Sequence, residues 1–268
     1  MPKSPLTDGS DNSCALRFGL ADSDEGVGVS KKIDLYILGT GINGIDQLTR
    51  ESEKALREAR IVLQLTGGLQ RELGRINPNT EDLDPVYGSG DDRGVGYSRL
   101  IRRVMDELRR GPGVAIVTYG HPLFFDDVNN ELLRRGRRAG YKVKVLPAIS
   151  CLSTLSVDLE IDYGDGLQIY EATELVLYRH RLNPNIHTLL IQVGMFKFDG
   201  TPDMAPTFPG RFDSLRAYLL KFYPPSQKIK LAISDEGEGR EIISSRLHRL
   251  DSHRRRMSIS TTMYIPPL

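Results

Sequence analysis

The sequence is short of several things, and each shortage closes off a class of protein. Its 268 residues hold two cysteines. Cys14 and Cys151 lie far apart, with no Cys-x-x-Cys pair and no clustered histidine beside them, so neither a disulfide scaffold nor a zinc site is indicated, and a reducing cytoplasm fits. Excess charge is lacking too: 36 basic and 35 acidic residues leave a formal net charge of +1. No global field is available to hold nucleic acid or an anionic membrane surface. No segment approaches the ~20 apolar residues that span a bilayer. Met1 to Ser30 also lacks the apolar core of a signal peptide. His180, His187, His248 and His253 show no metal-ligand spacing, so no metal is expected. The expectation is a cytoplasmic protein without nucleic-acid or membrane partners.

What is present reads as α/β. The length suits two lobes of ordinary size. Residues 1–30 are rich in Ser, Gly and Asp, with Leu16, Phe18 and Leu20 as the only apolar cluster, and read as a disordered tail. Residues 31–146 read as an N-terminal α/β lobe built on a mostly parallel sheet, and 147–268 as a second α/β lobe. In the second lobe the pattern predicts strands at Ile186 to Val193, Lys228 to Ile233 and Ser258 to Ile265. Helices are expected near Tyr170 to Tyr178, Phe212 to Phe222 and Gly239 to Leu250, with an exposed loop from Lys197 to Gly210.

Three turns stand out. Ile33 to Leu38 is strand-like and feeds Gly39-Thr40-Gly41-Ile-Asn-Gly44 and then a helix. This spacing satisfies the dinucleotide fingerprint, but Ile61 to Leu65 runs into Thr66-Gly67-Gly68 rather than an acidic residue, which argues against NAD and leaves a ligand-facing turn. Val114 to Thr118 is continuously apolar up to its last residue, as a buried parallel strand must be, and ends at Tyr119-Gly120-His121-Pro122. Ligands gather at that end of an open α/β sheet. Asp84 to Tyr97 is glycine-rich and carries Tyr87, Arg93 and Tyr97; it reads as a loop leading into a helix with Leu100, Ile101, Val104, Met105 and Leu108 on one face.

The Gly39-x-Gly41 turn, the Gly120-x-Pro122 turn and Pro147-x-x-Ser150, in this order, resemble the S-adenosylmethionine-dependent tetrapyrrole methylase superfamily. Within it the chain most resembles the borosin-type peptide backbone α-N-methyltransferases. Tyr119-Gly-His-Pro122, Tyr170-Glu-Ala-Thr173, Gln192-Val193-Gly194 and Ser260 to Pro267 look like their motifs, and Tyr87, Arg93 and Tyr97 keep the register of their catalytic Tyr, Arg and Tyr. The departures are Ala148 for a commoner Gly, Val86 for a frequent Tyr, and the glycines Gly94 and Gly96.

The resemblance implies two α/β lobes with S-adenosylmethionine in the cleft between them, a homodimer, and no metal. It assigns cofactor binding to Gly39, Thr40, Gly41, Tyr119, Gly120, His121, Pro122, Ser150, Gln192, Val193 and Gly194, with the Tyr119 ring offered to the sulfonium. Because the sequence stops at Leu268, it further implies a split form acting on a separate precursor peptide. An amide nitrogen is a poor nucleophile whose proton does not leave unaided. A tyrosine beside a guanidinium supplies a base or proton relay and a stabiliser for the developing imidate oxygen. Those roles fall to Tyr87 as base or relay, Arg93 as stabiliser and Tyr97 as substrate positioner. Two alternatives stay open: methylation of a tetrapyrrole or other small metabolite, and a non-catalytic cofactor-binding or interaction protein. His121 before a proline reads as a positioning residue, and Cys151 as a small buried residue rather than a nucleophile.

Overall fold

A computed structural model describes residues 32–87, 93–198, 207–234 and 240–268. Its first sheet joins β1 (Leu35–Gly39), β2 (Ile61–Leu65), β3 (Thr80–Asp82), β4 (Val114–Thr118) and β5 (Val143–Leu146) in the order β3-β2-β4-β1-β5. Every pairing in it is parallel. The most continuously apolar strand, β4, takes the central place and is buried at all five residues, because both of its faces are covered.

Alternation along the strands assigns the two faces. Leu35, Ile37 and Ile116 pack on one side with Leu100, Val104 and Leu108 of α4 (Arg93–Arg110) and Val128 and Leu132 of α5 (Asp127–Arg138). Leu38, Val62, Ala115 and Val117 pack on the other side with α1 (Arg50–Glu58) and α2 (Gln70–Ile76). Thr49 starts α1 by accepting a hydrogen bond from the Ser52 amide at 3.1 Å, and Asp126 starts α5 by accepting one from the Asn129 amide at 2.8 Å.

One buried charge ties this layer together. Glu107 of α4, with its side chain only 2% exposed, receives Arg60 at 3.0 Å, Arg103 at 2.8 Å and Arg110 at 2.6 Å. Burial alone would raise its pKa, but the hydrogen bonds from Arg103 and Arg60 outweigh it and hold the carboxyl below its usual range.

After α6 (Cys151–Leu159), a second, mixed sheet follows in the order β6-β7-β10-β8-β9. Its strands are β6 (Leu167–Glu171), β7 (His187–Ile191), β8 (Lys228–Ser234), β9 (Arg240–Arg246) and β10 (Thr262–Ile265). Only β6 and β7 pair in parallel; the other three pairings are antiparallel. One face packs on α7 (Ala172–Leu177) and α8 (Asp213–Leu219), and the other on Leu155 and Leu159 of α6.

Four expectations need correction. The helix expected over 239–250 is strand β9 followed by a 3-10 turn at Leu247–His253; Ile243 faces the core while Ile242 is exposed, a strand's alternation rather than a helix's stripe. Tyr87 is not in a loop but closes a single turn, α3 (Asp84–Tyr87), while Arg93 and Tyr97 belong to the first turns of α4. Strands β3 and β6 were not foreseen, because three or five half-buried residues carry little alternation. The helix expected directly after Gly44 starts only at Arg50, with a 3-10 turn at Gly44–Gln47 between. The expected tail and most of the expected loop at Lys197 to Gly210 lie outside the described residues.

Candidate active site at the carboxyl ends of two sheets

The turns after β1 and β4 are laced together. The Gly41 amide donates to the Gly120 carbonyl at 3.2 Å, and the Gly120 amide returns a bond to the Gly41 carbonyl at 3.0 Å. A Cβ on Gly39 would sit 1.9 Å from the Gly120 oxygen, so only glycine permits this approach. The amides of Ile42 and Asn43 already donate to the Gln47 Oε1, at 2.7 and 3.0 Å. Those two amides are satisfied within the turn and are not open to a pyrophosphate.

The second lobe offers a matching turn. After β7, Gln192 adopts a left-handed conformation (φ 56°) and leads into a 3-10 turn at Val193–Met195. A Cβ on Gly194 would meet the Ser258 oxygen at 1.9 Å. Arg211, 6% exposed, locks this turn by donating to the Gly194 carbonyl at 2.6 Å. It drew no attention in the sequence.

Between these turns lies a cavity of about 560 Å³. The first lobe supplies Ile42, Leu65 to Gly67, Asp84, Tyr87, Tyr119 to His121 and Phe124 to Asp126; the second supplies Cys151, Leu155, Ile191, Gln192, Ile259, Ser260 and Thr262. Of the residues singled out from sequence, Tyr87, Tyr119, Gly120, His121 and Gln192 reach the wall. Gly39, Thr40, Gly41, Pro122, Ser150, Val193 and Gly194 are not on the wall; all but the half-buried Ser150 are buried.

The Tyr87, Arg93, Tyr97 group does come together. The rings of Tyr87 and Tyr97 stack with centroids 5.8 Å apart at 12°. Burial pushes the Tyr97 phenol upward, Tyr87 adds to the rise, and Arg93 opposes both. Tyr97 is therefore a neutral hydroxyl at physiological pH. Arg93 keeps Nε and Nη2 buried with no hydrogen-bond partner among the described residues. Buried guanidinium donors demand an acceptor. Tyr87 alone of the three faces the cavity.

Other wall groups were missed or undervalued. Asp126 accepts from the Asn129 amide and, at 2.8 Å, from its side chain; burial raises its carboxyl from the ordinary 3.8 to about 6. A helix N-cap four residues past His-Pro was the sequence signal for it. Asp84 is raised as well, by burial and then by Asp82. His121 accepts the Leu123 amide on Nδ1 at 3.2 Å, which leaves the proton on Nε2, and burial lowers its pKa. Burial pushes the Cys151 thiol up to about 11, in keeping with its reading as an inert residue. Phe125 is 45% exposed with φ 53°, and Tyr119 is 38% exposed. Two strained non-glycine residues, Phe125 and Gln192, thus stand on this cavity. No cluster of three metal-ligating side chains occurs among the described residues, and no described helix is long and apolar enough to cross a membrane.

Comparison with known proteins gives the family and the fold. The family model of tetrapyrrole (corrin/porphyrin) methylases matches residues 34–201. A methyltransferase/ribosomally synthesized type I borosin cyclic peptide precursor of Coprinopsis marcescibilis is 28% identical over 245 residues, covering 87% of this chain and 62% of the relative. The methyltransferase/cyclic peptide omphalotin A precursor of Omphalotus olearius is 30% identical over 168 residues, 62% of this chain and 40% of its own. The chain thus spans less than two thirds of either relative. Among solved structures, uroporphyrin-III C-methyltransferase of Thermus thermophilus complexed with S-adenosylhomocysteine superposes with a TM-score of 0.62 at 16% identity, over 87% of this chain and 96% of that one. Cobalt precorrin-4 methyltransferase gives 0.61 at 14%, over 87% and 94%. At these identities the likeness is one of fold. With the family model covering well over half of its length, the chain belongs to the tetrapyrrole methylases, a family of methyltransferases.

Proposed function

We propose that the protein is an S-adenosylmethionine-dependent methyltransferase that N-methylates backbone amides of a peptide, acting on a precursor separate from itself. The observation that carries the peptide reading is the Tyr87–Tyr97 stack with Arg93 beside it, whose buried Nε and Nη2 lack partners among the described residues. The borosin precursors among its relatives support it.

The cavity suits the cofactor. Its volume lies in the range of small-molecule sites, its walls are largely apolar, and the carboxyls of Asp84 and Asp126 oppose positive charge. When bound, the cofactor supplies a methyl group already activated on a positively charged sulfur. Tyr119, Gly120, His121 and Gln192 would hold it, and the Tyr119 ring would offer its face to the cation. Gly39 to Gly41, Pro122, Ser150, Val193 and Gly194 shape the turns that carry those residues.

Tyr87 stands on the wall where an acceptor amide must lie and takes or relays its proton. Arg93, buried beside the stack, acts by its charge, stabilising the negative charge that develops as the amide becomes imidate-like. Tyr97, kept protonated, orients the Tyr87 ring and donates rather than accepts. Apolar wall residues, Phe124, Phe125 and Ile259 among them, exclude water from the reacting nitrogen.

The test is incubation of the full chain with S-adenosylmethionine and a panel holding peptides encoded near its gene and free tetrapyrroles. Mass spectrometry that locates methyl groups on peptide backbone nitrogens supports the reading. Methylation of a tetrapyrrole alone replaces it with the small-metabolite alternative. Failure to bind either S-adenosylmethionine or S-adenosylhomocysteine by calorimetry would leave an interaction protein.

A further inference from the structure

Methyl transfer to an amide nitrogen releases a proton, and the cavity wall limits where it can go. His121 has Nδ1 engaged and a lowered pKa, so it faces the site as a neutral donor. The Cys151 thiol is held protonated, and so is Tyr97 behind the wall. Asp126 is committed to capping α5 through the Asn129 amide and side chain, and Tyr87 can pass a proton on only if an acceptor stands next to it.

Asp84 fits that place. It opens the single helical turn that Tyr87 closes, and residues three apart on a helix share a face, with Cβ atoms about 5–6 Å apart. Both residues border the same cavity. Asp84 is also fixed: its Oδ2 accepts the Gly67 amide at 3.0 Å, and its own amide donates to the Asp82 Oδ1 at 2.9 Å. The fully buried Gln64 organises the floor, donating from Nε2 to the Asp82 Oδ1 at 2.6 Å while its Oε1 takes the Thr66 amide at 2.9 Å and the Thr66 hydroxyl. The nearby Asp82 charge raises the Asp84 carboxyl further. The pattern has no counterpart in the Tyr, Arg, Tyr register.

We propose that Asp84, backed by Asp82, is the terminal proton acceptor of the reaction, with Tyr87 as the relay. The proposal rests on the amide-methylation reading. The amide proton moves to the Tyr87 oxygen as the Tyr87 hydroxyl proton moves to the Asp84 carboxylate. The nitrogen's electron pair forms the bond to the methyl carbon, and the carbon–sulfur bond breaks with its pair left on sulfur. Sulfonium and carboxylate enter as opposite charges; thioether and carboxylic acid leave neutral.

Burial and the Asp82 charge both raise the Asp84 pKa, opposed by smaller bonds from Gly67 and Gln64. Tyr87 stands on its own turn, and Tyr119, His121, Asp126 and Cys151 are the other titratable groups on the cavity wall. Because Asp84 must be ionised to receive the proton, the rate falls with pH through its raised pKa, above the ordinary aspartate range.

The experiment pairs a titration with kinetics on the full chain. Difference infrared spectra of wild type minus Asp84→Asn, recorded against pH, isolate the Asp84 carboxylic C=O band without any substrate. Asn keeps an oxygen for the Gly67 amide, so the fold is preserved. The band is expected to persist above the usual aspartate range in wild type and to fall back in Asp82→Asn. In single turnover, Asp84→Asn is expected to slow methylation by about 10²-fold with affinity for the uncharged S-adenosylhomocysteine unchanged by calorimetry, and Asp84→Glu to recover part of the rate. An ordinary titration of Asp84, or full activity in Asp84→Asn, overturns the proposal. Absence of peptide methylation by the wild type with Asp84 titrating high instead removes the amide-methylation reading and, with it, the proton-acceptor role.

Discussion

Asp126 permits a prediction in which stability should rise when a charge is removed. Its carboxyl caps α5 at the cavity, and its pKa stands at about 6 in the folded protein against an ordinary 3.8. The folded chain therefore holds this proton more tightly than the unfolded chain. Its contribution to stability is full below pH ~4 and is lost as pH climbs through about 6. At ~1.4 kcal/mol per pH unit the complete displacement amounts to about 3 kcal/mol. The residue is half-buried, and solvent screening brings the expected figure to ~1–3 kcal/mol.

Asp126→Asn keeps a cap oxygen for the Asn129 amide and removes the charge. The Asn129 side chain can turn its buried, unpartnered Oδ1 toward the new amide, and the Thr118 hydroxyl can donate to what Asn129 then presents. The assay is urea unfolding of both proteins at several pH values from 4 to 8. Taking the difference between the two proteins cancels every other titrating group. The expected result is near-equal stability at pH 4 and an Asn variant more stable by ~1–3 kcal/mol at pH 7. A variant destabilised by the same amount at every pH would show that Asp126 is an ordinary charged cap and would refute the reasoning.

The remaining expectations can be checked with standard methods. Glu107→Gln strands three arginines around a group 2% exposed and should cost about 3 kcal/mol in urea unfolding. Tyr87→Phe should lower the methylation rate by at least ~10²-fold while calorimetry shows cofactor affinity within a few-fold of wild type; an unaltered rate would remove Tyr87 from the mechanism. Gly39→Ala places a carbon 1.9 Å from the Gly120 oxygen and should separate the two turns, lowering the thermal midpoint and weakening S-adenosylmethionine binding together. Arg211→Met should leave the core packed but free the Gly194 carbonyl, loosening cofactor binding in calorimetry more than it lowers the unfolding midpoint.

Patterns that repeat along the chain could be read directly, and those that depend on neighbours could not. The continuous apolar run of β4 declared a doubly covered strand, and the amphipathic faces of α4 and α5 declared helices. Residues 239–250 misled because β9 ends in a 3-10 turn whose Leu247 and Leu250 mimic a helical stripe; pairing with β8 decides the matter, and no local signal reports it. The Tyr87, Arg93, Tyr97 register was visible as spacing, but its division between two helices was not.

Sequence alone determined the α/β class and, through motif resemblance, the family, because strand burial and glycine-dependent turns leave marks at fixed local offsets. Only the tertiary structure decided what those turns do. It laced Gly41 to Gly120, pressed Gly194 against Ser258 and put Tyr87 on the wall with Arg93 and Tyr97 behind it. It also brought Asp84 and Asp126 to the same cavity. A carboxyl's pKa and reach depend on burial and on partners distant in the chain, such as Gln64 and Gly67 for Asp84, which no local pattern encodes.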